Sequence, residues 1–281
     1  MFKRVMVAVV GVPFLILVLG CAPDWATMLL VVGMCAVGAW EMMHAVAGEK
    51  GRCLTPLAVV SAALVPVCVY GELSIRYAEL TALQVLPLTG LLGAVLVLAL
   101  FVVSIRRYGG ERAVPFAALT AAVFAGLVFP MMLSCLLRLR MVPTIGMLLV
   151  FFPLCISFGS DTFAFFAGLL FGKHKLTPVS PKKTVEGAVG GLVGGVVGTA
   201  LLMAIGSYVL ADAFWDFGLL AVFGLIGSAV SQIGDLSFSV IKREFGVKDY
   251  GHLLPGHGGI LDRFDSVTFA APFVWLLWQL V

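Results

Sequence analysis

Residues 217–241 read FGLLAVFGLIGSAVSQIGDLSFSVI and are followed at once by Lys242 and Arg243. An apolar run of this length, closed by paired cations, fits a bilayer-crossing helix, which needs about 17–25 residues. Comparable runs lie near residues 4–20, 25–47, 54–70, 80–104, 114–137, 142–171, 185–210 and 262–280. The expectation is an all-α polytopic membrane protein with about nine transmembrane helices. Composition agrees, because 61% hydrophobic against 12% charged residues in a 281-residue chain leaves too little polar surface for a soluble domain.

The charges between the runs give an independent check, since cytoplasmic loops collect Lys and Arg. With the N-terminus cytoplasmic, Lys3, Arg4, Lys50, Arg52, Arg106, Arg107, Arg112, Lys173, Lys175, Lys182, Lys183, Lys242, Arg243, Lys248 and Arg263 fall inside, fifteen of the eighteen basic residues. Arg76, Arg138 and Arg140 fall outside, and the last two make the one loop that fits the rule poorly. An odd count of spans places the C-terminus outside. The net charge of +3 then reflects topology, and no basic stripe interleaved with stacking aromatics points to nucleic acid.

Some features are set aside. Lys3 and Arg4 ahead of an apolar run ending Val18-Leu19-Gly20-Cys21 imitate a lipoprotein signal, but the further runs already anchor the chain. The six cysteines form no CxxC pair and read as small hydrophobes. Gly168-Leu-Leu-Phe-Gly172-Lys173 is one residue short of a phosphate-binding P-loop. In GAVGGLVGGVVG, Gly187, Gly191 and Gly195 form one ridge and Gly190, Gly194 and Gly198 the next, a small-xxx-small pattern for close helix packing that also permits a homodimer. Glu41 and His44 share a helical face and read as a pair near the end of the second span, exposed to the interface.

Three polar constellations interrupt the hydrocarbon. Ser160-Asp161 lies inside an apolar run, where an aspartate costs about 2.5–3.5 kcal/mol on insertion, so a bystander role is disfavoured. It is followed by Lys173, His174, Lys175 and then Ser180-Pro181-Lys182-Lys183-Thr184, cations beside helix-starting amides that suit an anionic headgroup. Ser231, Asp235, Ser239 and Lys242 lie along one face of the 217–241 run, where an Asp235–Lys242 ion pair is the plain structural alternative. Ser239–Asp265 then packs Lys242, Arg243, Lys248 and Arg263 with Asp249, Asp262 and Asp265 and with Gly256, Gly258 and Gly259. Cations for phosphates, carboxylates for a hard cation and glycines that admit a ligand to the backbone together suit a metal-bound nucleoside triphosphate. His252 and His257 could touch phosphate, and the surrounding carboxylates favour magnesium over zinc.

The run Ser239-x-x-Lys242-Arg243, Lys248-Asp249, Gly251, Leu254-Pro255, His257-Gly258-Gly259, Asp262-Arg263-x-Asp265 resembles the signature of the phosphatidate cytidylyltransferases, or CDP-diacylglycerol synthases. Upstream, Ser160-Asp161, Gly172-Lys173-His174-Lys175 and Ser180–Thr184 with Glu186-Gly187 are similar to the same family, so the likeness covers roughly 158–265. It implies that CTP and phosphatidic acid give CDP-diacylglycerol and pyrophosphate at the cytoplasmic face of the cell (inner) membrane, with Mg2+ required and a second cation allowed. It also implies a metal site at Asp235 and Asp262, with Asp249 and Asp265 as weaker partners. Lys242 joins the two aspartates as a catalytic candidate. Arg243, Lys248 and Arg263 are candidate triphosphate contacts and Lys182 and Lys183 suit either substrate. Ser160, Asp161, Lys173, Ser239, His257, Gly258 and Gly259 complete the candidate substrate-binding set.

On this reading residues 1–140 are an N-terminal transmembrane scaffold. Residues 141–281 are a catalytic region with cytoplasmic loops 172–186 and 242–262. Two other readings keep the same residues: a CTP-dependent kinase of a lipid alcohol, which would leave only a phosphate on the lipid, and an ion or anion transporter, which would need no such dense polar loop.

Overall fold

A computed structural model describes residues 2–77, 87–209, 216–253 and 258–280. Among them the chain is helical, with one isolated antiparallel bridge, Lys175 to Thr184, in place of any sheet. Helix α1 covers Phe2–Ile16, α2 Asp24–Val46, α3 Thr55–Tyr77 and α4 Leu88–Arg107. The segment α5 runs over Phe116–Arg140 with a π-helical turn at Phe124–Val128. Then follow α6 (Phe152–Phe171), α7 (Val185–Val209), α8 (Phe217–Glu244) and α9 (Leu261–Gln279).

Seven helices among the described residues are long and apolar enough to cross a membrane. The outer two expected runs also form helices, but the first is a shorter apolar stretch, Val9–Cys21, and α9 opens with Asp262, Arg263 and Asp265 in its first turns. On α7 the exposed large apolar residues are Val185, Val189, Val193, Val197, Leu201 and Ile205, four apart, while the glycines face protein. An apolar stripe pointing outward over a small-residue stripe pointing inward reverses a soluble helix and matches a lipid-facing one.

The chain forms two compact units, Met1–Met141 with Phe245–Arg263, and Val142–Glu244 with Phe264–Val281. In the first, Val65, Val69, Leu73 and Leu137 form a buried cluster extended by Met28, Leu92 and Leu127. The two arginines that strained the charge rule are both neutralised there. Arg140 bonds Asp24 at 2.9 Å and donates to the Ala22 carbonyl at 2.9 Å, and Arg138 lies 3.9 Å from Glu72. Glu72 also accepts from the backbone N–H (2.7 Å) and hydroxyl (2.8 Å) of Thr89, capping the start of α4.

In the second unit the glycine ridges do the packing expected of them. A side-chain carbon at Gly194 would strike Gly159 and Phe163 of α6, and one at Gly198 would strike the Cys155 carbonyl. One at Gly195 would meet Ser228 and Gly224 of α8. Helix α7 is thereby clasped between α6 and α8 with backbones almost touching. Across this seam Ser231 donates to Ser157 at 3.1 Å, and Gln232 donates to Ser160 at 3.3 Å and to the Ala188 carbonyl at 3.1 Å. Such bonds between membrane helices contribute about 0.6 kcal/mol each, so they fix the register more than they hold the bundle.

Candidate active site

The second unit gathers its polar groups at the junction of α6, α7 and α8. Thr184 caps α7, its hydroxyl accepting from the Gly187 N–H at 3.1 Å. Ahead of it the chain doubles back. Leu176 N–H donates to the Lys183 carbonyl at 3.0 Å and Val185 N–H to the His174 carbonyl at 2.9 Å. Glu186 in the first turn of α7 closes the base of this loop, accepting from the backbone of Lys173 (3.1 Å) and His174 (3.3 Å) and pairing with the His174 ring at 2.6 Å. The returning arm carries Lys182 and Lys183 toward α8. Lys183 pairs there with Asp235, while Ser239 donates to the other oxygen of Asp235 at 3.5 Å. Arg243, one turn further, donates to the Val179 carbonyl at 3.4 Å and ties α8 to the same loop.

Three carboxylates share this region. Asp161 on α6, Asp235 on α8 and buried Asp265 on α9 act electrostatically on one another, with Lys183 and Lys242 as the opposing charges. Asp265 is further tied down by the Ser266 N–H at 2.7 Å. Facing carboxylates repel unless a cation lies among them. The Lys183–Asp235 pair is about a quarter exposed on both sides, and a pair that accessible contributes about 1 kcal/mol at most to stability. Stability therefore gives no sufficient reason for so much charge at this junction. The donor set of carboxylate and hydroxyl oxygens suits magnesium. Among the described residues no three His, Cys, Asp or Glu side chains are drawn to metal-ligand spacing.

Beside the cluster opens a cleft of about 380 Å³. Asp161, Lys182, Lys183, Thr184 and Gln232 line its polar part, and Phe165, Leu169 and Leu176 its apolar wall. Phe165 and Leu169 continue the exposed face of α6. The cleft thus leads from charge to hydrocarbon along one helix.

The first unit holds the other half of the sequence signature. Asp262 accepts from the N–H of Tyr250 (2.8 Å) and of Gly259 (3.0 Å), and Gly258 adopts φ +86°, a conformation that favours glycine. Lys248, Asp249 and Arg263 are exposed. His257, with Leu254, Pro255 and Gly256, lies outside the described residues. Glu41 departs from expectation. It is 1% exposed rather than facing the interface, and its carboxylate accepts from the N–H of Ile260 (3.1 Å) and Leu261 (3.0 Å). His44 stays exposed and binds only locally, to the Trp40 carbonyl. The insertion cost that singled out Asp161 applies equally to a glutamate in the 25–47 run, and it was the available signal.

Of the predicted residues, the structure brings Asp161, Lys183, Asp235, Ser239, Lys242 and Asp265 into one neighbourhood, with Lys182 on the adjoining cleft. Ser160 is buried beneath it as the acceptor for Gln232. Lys173 is exposed at the base of the loop, its backbone held by Glu186. Thr184, Glu186 and Gln232 are additions, the first two seen in sequence only as motif members.

Comparison with known proteins agrees with this chemistry. Phosphatidate cytidylyltransferase of Bacillus subtilis is 36% identical over 185 residues, 66% of this chain and 65% of that protein. The Staphylococcus saprophyticus protein of that name is 44% identical over 133 residues, 47% of this chain and 49% of its own length. That of Synechocystis is 39% identical over 130 residues, 46% and 43% respectively. The chain therefore spans less than two thirds of the length of these curated relatives. A family model described as the cytidylyltransferase family matches residues 2–281, and by that match the chain belongs to the cytidylyltransferase family.

Proposed function

We propose that this protein transfers the cytidylyl group of CTP to phosphatidic acid, giving CDP-diacylglycerol and pyrophosphate for phospholipid synthesis. The observation that carries the reading is the cleft beside the Lys183–Asp235 pair, where cations and a capped helix start adjoin an apolar wall. A diacylglycerol phosphate has this same polarity, an anion on a hydrocarbon body.

In the reaction a lipid phosphate oxygen forms a bond to the α-phosphorus of CTP as the bond from that phosphorus to the β-phosphate bridging oxygen breaks. The electron pair leaves with pyrophosphate. A phosphate monoester is already largely deprotonated near neutral pH, so no strong general base is needed. Catalysis then rests on alignment and on neutralising charge that moves to the leaving group. Lys182 and Lys183 orient the lipid phosphate. Lys242, Arg243, Lys248 and Arg263 are the proposed triphosphate contacts, with Ser239 holding Asp235 in place. Magnesium, when bound, would supply charge stabilisation at the phosphates. Asp235 and Asp265 are its proposed holders, with Asp262, one helical turn before Asp265 on α9, and Asp249 as further carboxylates.

Nine spans with a cytoplasmic N-terminus and an outward C-terminus would put the loops 172–186 and 242–262 on the CTP side of the inner membrane, where phosphatidic acid enters laterally. The glycine ridges of α7 are largely occupied within the chain, so a homodimer would need another face. The test is to purify the protein in detergent and supply cytidine-labelled CTP, phosphatidic acid and magnesium. Label entering the lipid fraction supports the reading; CTP-independent uptake of an ion into vesicles, with no labelled lipid, contradicts it.

A further inference from the structure

Glu41 belongs to no sequence motif of the site, yet it is the buried carboxylate most fully engaged with the signature loop. It sits on α2, and the two amides it accepts from lie 219 and 220 residues away, at the start of α9. Those amides are among the four at a helix start that lack an intrahelical acceptor. Glu41 therefore caps α9 from a different part of the chain. Asp262, in the first turn of α9, accepts from Gly259 and Tyr250 and so gathers the loop's other flank. Four backbone amides between 250 and 261 thus converge on two carboxylates.

The glycines of the loop fit the same geometry. A side-chain carbon at Gly251 or at Gly259 would run into the Glu41 carboxylate, and one at Gly258 would lie 3.0 Å from Asp262 Oδ2. Gly259 is expected from the sequence to bring the backbone close to a ligand, and Gly251 enters there only as a member of the signature. In the structure they bring it close to Glu41.

We propose that Glu41 is a positioning residue, which sets the shape of the segment carrying Lys248 and Arg263 for nucleotide binding. Its link to catalysis rests on the function proposed above, whereas the anchoring itself does not. The role differs from generic core packing because it is directional: each N–H donates to its own carboxylate oxygen, Ile260 to Oε1 and Leu261 to Oε2. In E41Q one of the two is replaced by an amide donor facing another donor.

The test uses the full-length protein in detergent and two readouts, amide hydrogen exchange over 248–253 and 258–263, and steady-state kinetics with CTP. For E41Q, exchange at Ile260 and Leu261 is expected to quicken about tenfold or more, with KM for CTP rising about tenfold and kcat holding within about twofold. H44A, one turn along on the exposed side of α2, leaves both readouts at wild-type values. G251A, which displaces the carboxylate without deleting it, reproduces the E41Q pattern, and in an E41A background it adds nothing further. That non-additivity also serves if E41Q proves too unstable to extract. Unchanged exchange in E41Q and G251A overturns the anchoring. Altered exchange with an unchanged KM overturns the positioning role. A wild type that makes no cytidine-bearing lipid overturns the proposed activity instead, while exchange still reads the anchor.

Discussion

Two groups of carboxylates, one in each unit, are held in different ways. In the second, Asp161, Asp235 and Asp265 face lysines, so the local order is set by side-chain charge. In the first, Glu41 and Asp262 accept bonds from backbone amides at 2.8–3.1 Å, so the order is set by chain shape. Charges held by other charges can be re-paired when phosphates and a metal arrive, because an ion pair at partial exposure costs little to open. Amides held by carboxylates are capping interactions, and losing them reshapes a loop. The contrast separates groups suited to the reaction from groups suited to a frame, Asp262 being the one amide-held carboxylate also proposed for the metal.

The largest expected effect breaks the charge-held side. D235N keeps the side-chain size but removes the charge opposite Lys183, and we expect transfer activity to fall by about a hundred- to thousandfold while the protein remains extractable. Initial rates in detergent check this, and a rate within a few-fold of wild type would assign Asp235 a structural part only. A smaller change is expected from K182A, on the cleft, where Lys182 has no carboxylate partner among the described residues. It should raise the apparent KM for phosphatidic acid, measured as mole fraction in mixed micelles, about tenfold, with KM for CTP little altered. An equal effect on both substrates would move Lys182 away from the lipid. The smallest effect belongs to T184A, which removes the cap of α7. Loss of about 1 kcal/mol is expected, seen as a lowered midpoint of thermal unfolding with activity largely retained at 25 °C.

Much of this was legible in the sequence because the bilayer imposes a simple rule on helix length and on the cost of buried charge. The apolar runs predicted helices that the structure contains, and the glycine ridges of α7 predicted close approach to neighbours. Asp161 stood out for the same reason. Pairings across the chain were not legible. Nothing local in Lys183 says that it meets Asp235 rather than a substrate, and nothing local in Lys242 says that it acts on Asp265. The folding back of 175–184 rests on one bridge and a few turn bonds, which leave no periodic pattern. Glu41 was misread because helical spacing paired it with His44, while its real partners lie beyond residue 259. Arg138 and Arg140 strained the charge rule for a related reason, since a count of cations ignores the Glu72 and Asp24 that neutralise them.

The most direct measurement follows the two ends of the triphosphate. CTP labelled at the α-phosphate and, separately, at the γ-phosphate is given to the purified protein with phosphatidic acid and magnesium. The account predicts α-label in the lipid and γ-label in released pyrophosphate, with both lost on chelating the metal. γ-Label in the lipid would mean phosphoryl transfer, and it would contradict the central claim, as would a lipid that carries neither label.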